Sequence, residues 1–95
     1  MFIVFLKFSE NKGLASQLMD AHKAWIKQGF EEGVFLLAGS LQVGSGGGIM
    51  AHNISLSDLQ LRVGNDPFVR ENVVSVEIVE ISPSKVDERL QFLFN

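Results

Sequence analysis

The sequence predicts an α+β fold, a ferredoxin-like β-α-β-β-α-β domain with a four-stranded antiparallel sheet and an extra C-terminal helix. Three observations carry the prediction. Apolar runs of strand length, rich in β-branched and aromatic residues, occur near residues 2–8, 34–39, 49–52 and 73–81. Two segments with helical apolar spacing separate the first run from the second and the third from the fourth. That order is the split β-α-β unit, which lays both helices on one face of the sheet. At 95 residues there is room for one core. Residues 1–82 make up the domain, and residues 83–95 are a helical extension of it.

Phe2-Ile3-Val4-Phe5-Leu6-Lys7-Phe8 is the first strand, and its five consecutive apolar residues send side chains to both faces of the sheet. Both faces therefore need cover. Leu14, Leu18, His22, Trp25, Ile26 and Gly29 then form the stripe of an amphipathic helix. That helix ends between Gly29 and Gly33, two glycines that offer the positive φ at which helices commonly stop. Val34 to Gly39 reads as a second buried strand. Gly44 to Gly48 reads as a flexible loop into a third strand, Ile49 to His52. Ser55 or Ser57 can cap a second helix carrying Leu56, Leu59, Gln60 and Val63, which Gly64-Asn65-Asp66-Pro67 terminates. From Val73 to Ile81 apolar residues alternate until Val79 and Ile81 switch parity, which points to a bulge or to a strand end buried on both faces. In the tail, Ser82 can cap and Pro83 can open a helix with Val86, Leu90, Leu93 and Phe94 on one face. Three turns are too short to stand alone, so this face should dock at the edge of a dimer interface.

Composition removes several classes of function. No cysteine is present, which excludes disulfides, thiol nucleophiles and cysteine-ligated metal. The net charge is −3 with no cluster of Lys or Arg, so nucleic acid and anionic membrane surfaces have nothing to dock on. Apolar runs are far shorter than a membrane span, and no signal-peptide pattern opens the chain, so a cytoplasmic protein is expected. Charged residues make up only 20%, and a mean hydropathy of +0.21 leaves more apolar surface than a small monomer hides, which points to a homodimer.

Few residues can carry chemistry. His22 is the one titratable side chain on the apolar stripe of the first helix. A lone inward histidine is commonly a satisfied core residue; it becomes acid–base machinery when a carboxylate fixes its tautomer. Asp66, at the end of the second helix, can reach it if the two helices lie side by side, although Asn-Asp-Pro is also an ordinary turn. Ser40 is the best-placed hydroxyl, but no G-x-S-x-G elbow surrounds it. Trp25 reads as core that would also line a pocket beside His22, and His52 as a surface strand residue. Gly44, Gly46, Gly47 and Gly48 match no phosphate-binding pattern, and no metal-ligand spacing occurs.

An inward His22, the strand Leu36-Leu37-Ala38-Gly39 and the run Asn65-Asp66-Pro67-Phe68-Val69 together resemble the YCII-related (YciI-like) domain family over residues 1–82. The resemblance implies a dimeric α/β barrel and a catalytic His22–Asp66 dyad, with Trp25, Gly39, Ser40 and Phe68 at the substrate. Two positions depart from the family pattern: Ser40 stands where proline is usual, and Asn72 where glycine is usual. Tyrosine is absent, which excludes phenol chemistry. The implied function is acid–base catalysis of lyase or isomerase type on a small organic molecule, without metal or redox cofactor. The alternative is a non-catalytic dimeric module that uses the same pocket to bind a ligand or to assemble.

Overall fold

The structure, a computed structural model, describes residues 1–94. Four strands, β1 (Phe2–Phe8), β2 (Phe35–Ser40), β3 (Gly46–Ala51) and β4 (Val74–Glu80), form one antiparallel sheet in the order β2-β3-β1-β4. Helix α1 (Ala15–Glu31) joins β1 to β2, and α2 (Leu56–Gly64) with the single turn α3 (Pro67–Arg70) joins β3 to β4. This is the predicted ferredoxin-like arrangement.

Register decides which side chains face the helices. Phe2, Val4 and Leu6 of β1 pair with Ala51, Ile49 and Gly47 of β3, and these side chains point inward, where Trp25, Leu59, Val63 and Phe68 cover them. Val4 and Leu59 are fully buried at the centre of this core. The intervening residues Ile3 and Phe5 face outward beside Met50 and Val79, with Leu37 across from Met50. Leu36 is the extra residue of a bulge between Phe35 and Leu37, so Phe35 packs inward while Leu37 faces out, 58% exposed. Val79 extends this outer apolar face. The ladder between β1 and β4 runs without a bulge from Phe8↔Val74 to Phe2↔Glu80, so the parity switch is a change of face and not of register: Val76 and Ile78 lie on the side of Leu6 and Val4, and Val79 on the side of Ile3.

Three other elements differ from expectation for local reasons. α1 ends at Glu31, between Gly29 and Gly33 as expected, but Gly29 lies inside the helix without positive φ: a Cβ there would stand 2.2 Å from the Phe35 ring, so this glycine serves close helix–strand packing. Gly33, with φ +74°, is the residue that ends the helix. Gly46, Gly47 and Gly48 belong to β3 instead of a loop, because their peptide groups complete the ladders to β1 and β2 whatever their propensity. The tail forms no helix at Ser82 or Pro83. Asp87 takes the capping place, accepting on Oδ1 from the Arg89 backbone N–H (3.0 Å) and Nε (2.9 Å), and a kinked 3-10 segment follows over Glu88–Phe94. Those two hydrogen bonds, the side-chain one first, hold the Asp87 carboxyl below the usual carboxylate range. The tail contacts its own chain: the Phe92 ring lies edge-on to His52 at 5.4 Å, and His52 is half-buried. Asn95 lies outside the described residues. Among those residues no helix is long and apolar enough to cross a membrane.

Gly46 is the strictest position in the sheet, since its φ is +139° and a Cβ would stand 2.0 Å from the Leu6 carbonyl oxygen. Gly46→Ala should therefore destabilise the fold by about 2 kcal/mol or more. Gly13, with open space where its Cβ would stand, should tolerate alanine within about 1 kcal/mol of wild type. Urea denaturation of the two variants checks this, and equal losses would contradict the packing described.

Candidate active site

The chain reaches the site through two local rules. α2 opens on Ser55, whose Oγ accepts from the Asp58 backbone N–H at 3.1 Å, and closes at Asn65. The chain then restarts as α3, with Asp66 at its N-cap in extended conformation and Pro67 at the first helical position. Asp66 Oδ1 accepts from the Phe68 backbone N–H at 3.1 Å. The same oxygen accepts from His22 Nδ1 at 2.7 Å. The two readings of Asp66, turn residue and histidine partner, therefore hold at once. Asp66 is 0% exposed, and its Oδ2 has no hydrogen-bond partner among the described residues.

His22 sits where two faces of α1 meet. Leu18, Trp25 and Gly29 face the core, whereas Met19, Lys23, Ile26 and Phe30, one position further round, line a cavity. The His22 ring lies parallel to Phe68, with centroids 3.9 Å apart and planes 2° from parallel, and Trp25 lies 6.0 Å away. Trp25 is anchored in turn by Nε1–H donating to the Arg62 carbonyl at 3.0 Å. An acceptor at Nδ1 and a ring on its face fix the imidazole in position and select the Nδ1–H tautomer. Nδ1 is thereby committed to Asp66, and His22 lines the cavity.

The cavity measures about 470 Å³, a size that suits a small organic ligand. Leu6, Phe8 and Ile49 of the sheet form its floor, and Phe68 and Val74 close one side. Ala38, Gly39 and Ser40 of β2, with Gly46, Gly47 and Gly48 of β3, form the other. Gly47 pairs with Leu6 and Ser40 on the inward face, so the missing side chain leaves space where the cavity opens. Of the residues singled out in the sequence, His22, Gly39, Ser40 and Phe68 line this space; Trp25 does not, since it packs behind His22. The sequence gives Lys23 no role, and it presents the glycines of β3 as a flexible loop and not as cavity wall. Lys23 is four residues from Met19 and three from Ile26, a spacing that marks it as their neighbour. Among the described residues no three His, Cys, Asp or Glu side chains gather as metal ligands would.

No protein-family model matches the chain, and no curated protein does. Among solved structures it is similar to 5-chloro-2-hydroxyhydroquinone dehydrochlorinase from Burkholderia phenoliruptrix, determined in complex with 2,5-dihydroxybenzoquinone. The TM-score is 0.69 at 13% identity, covering 86% of this chain and 94% of that one. A likeness at that identity establishes a shared fold.

Asp66 carries both the cap and the histidine bond. Asp66→Ala should cost about 2–4 kcal/mol, the sum of a lost cap and a buried N–H without an acceptor. Asp66→Asn retains an oxygen acceptor and should cost less than half as much. Chemical denaturation compares them; equal costs would show that the charge, and not the two hydrogen bonds, stabilises this corner.

Proposed function

We propose that this protein is an acid–base catalyst of lyase or isomerase type, with His22 as the proton-transferring group and Asp66 as the residue that orients it. The observation that carries the proposal is the 2.7 Å bond between His22 Nδ1 and Asp66 Oδ1 in the wall of an apolar cavity. Nε2 takes a proton from an acidic C–H or O–H of the substrate, and the electron pair of that bond passes into the substrate. Either the proton returns at another atom, giving an isomer, or a leaving group departs with an electron pair, giving an elimination. Asp66 stabilises the imidazolium formed between the two steps. The elimination chemistry in the printed name of the dehydrochlorinase supports this reading, as does the resemblance to the YCII-related family. Small oxygenated rings are the substrate class proposed, and Gly39, Ser40 and Phe68 their contacts. Neither metal nor redox cofactor is required by these steps, and the cysteine-free composition suits a cytoplasmic setting.

A homodimer belongs to the same proposal. Ile3, Phe5, Leu37, Met50 and Val79 give the outer sheet face an apolar surface, and a second copy of the sheet is the cover implied by the dimeric-barrel resemblance. Leu37→Lys should then yield monomers in sedimentation at micromolar concentration with unchanged circular dichroism; an unchanged mass would show that this face is not the contact.

Binding of 2,5-dihydroxybenzoquinone is the first functional check. A ligand at 100 times its Kd stabilises by about 2.7 kcal/mol, which for this size raises Tm by roughly 10 °C or more. In a turnover screen of oxygenated ring compounds, His22→Gln should lower the rate at least about 100-fold, the usual contribution of a general base. Turnover unchanged in a folded His22→Gln protein would overturn the proposal.

A further inference from the structure

We propose that Lys23 supplies the counter-charge of this site, so that the cavity takes small ring compounds that are, or become during reaction, oxyanions: phenolates, enolates or carboxylates. The inference rests on the proposed role of His22 and extends it to the charge of the ligand. Before proton transfer the pair is a carboxylate and a neutral imidazole; afterwards it is a carboxylate and an imidazolium, with no net charge. The substrate has meanwhile gained a negative charge, and apart from His22 and Lys23 the cavity walls that receive it are alkyl, aromatic and glycine with one neutral hydroxyl, that of Ser40. Asp66, buried behind the histidine with Oδ2 unpartnered, adds a repulsive field. Lys23 is the one side chain lining the cavity that is charged at neutral pH whatever the state of His22. It is also uncommitted. Lys7 and Lys27 are paired with Glu77 and Glu31, whereas Lys23 makes no ion pair among the described residues. An ammonium on a flexible stem next to the base in sequence can follow the oxyanion as it forms.

The test uses 4-nitrophenolate and 4-nitroanisole, which share a ring and a nitro group and differ in charge, at a pH where the phenol is ionised. Binding is followed by the NMR signals of the His22 ring and the Gly47 amide. Wild type should bind the anion more tightly than the ether. Lys23→Gln should weaken the anion about fivefold, the upper end of what a part-exposed ion pair contributes, and leave the ether unchanged. Lys23→Arg should retain anion binding, and Lys27→Gln, which lies on the same helix outside the cavity, should change neither. Raising the salt from about 0.02 M to about 0.5 M should erode the preference for the anion. If both probes shift the His22 signals with equal affinity, or Lys23→Gln weakens them equally, the role of Lys23 is overturned while the active site stands. If neither probe shifts the His22 signals in wild type, the ligand site and the role of Lys23 fall together.

Discussion

One oxygen atom ties the site to the fold. Oδ1 of Asp66 starts α3 by accepting from the Phe68 N–H and anchors α1 by accepting from His22 Nδ1, forty-four residues away in sequence. The cap sets the direction of the chain after Pro67, and that direction lays the Phe68 ring flat against the imidazole it has just helped to place. Edge and face of His22 are thus both controlled by one short turn. A loop histidine would have to be ordered on every encounter with ligand; here the ordering is completed on folding. The unpartnered Oδ2 is the cost of this arrangement, because a buried carboxylate oxygen without a donor is unfavourable unless charge nearby answers it.

The cavity depends on a second constraint, the near absence of side chains where β2 and β3 approach α1. Leu6 and Ile49 continue the core up to this edge, and beyond them Gly47, the inward-facing residue of the three glycines, has no side chain to fill the space. Strand propensity would not choose three glycines, and their place in β3 is fixed by pairing on both sides. The cavity is therefore the place where the helix face turns from core to open space, with His22 on the boundary and Lys23 just past it.

Much of this was legible in the sequence because it rests on periodicity and capping chemistry. The strand–helix order, the stripe that carries His22 and Trp25, the Ser55 cap and the partnership of His22 with Asp66 all follow from local patterns in a known topology. The misses share a cause. The positive φ expected at Gly29, the loop expected at Gly46 and the helix expected in the tail rest on local preference, yet each position is decided by a neighbour distant in sequence: Phe35 presses on Gly29, the Leu6 carbonyl on Gly46, and His52 receives Phe92. Trp25 is core, as its place on the stripe implies, but does not also line the cavity, because the stripe is wide enough to serve core and cavity on opposite flanks. Lys23 was overlooked for the same reason, as a polar residue beside an apolar stripe looks like solvated surface until the cavity is seen.

The central claim is that Asp66 holds His22 as the Nδ1–H tautomer with Nε2 free to exchange a proton. Two-dimensional proton–nitrogen NMR of the imidazole, recorded on wild type and Asp66→Ala, tests it most directly. The account predicts a protonated, slowly exchanging Nδ1 and a lone-pair Nε2 in wild type, with the Nδ1–H tautomer no longer held once alanine removes the acceptor. An Nε2–H tautomer in the wild-type protein, or a tautomer indifferent to the substitution, would contradict it.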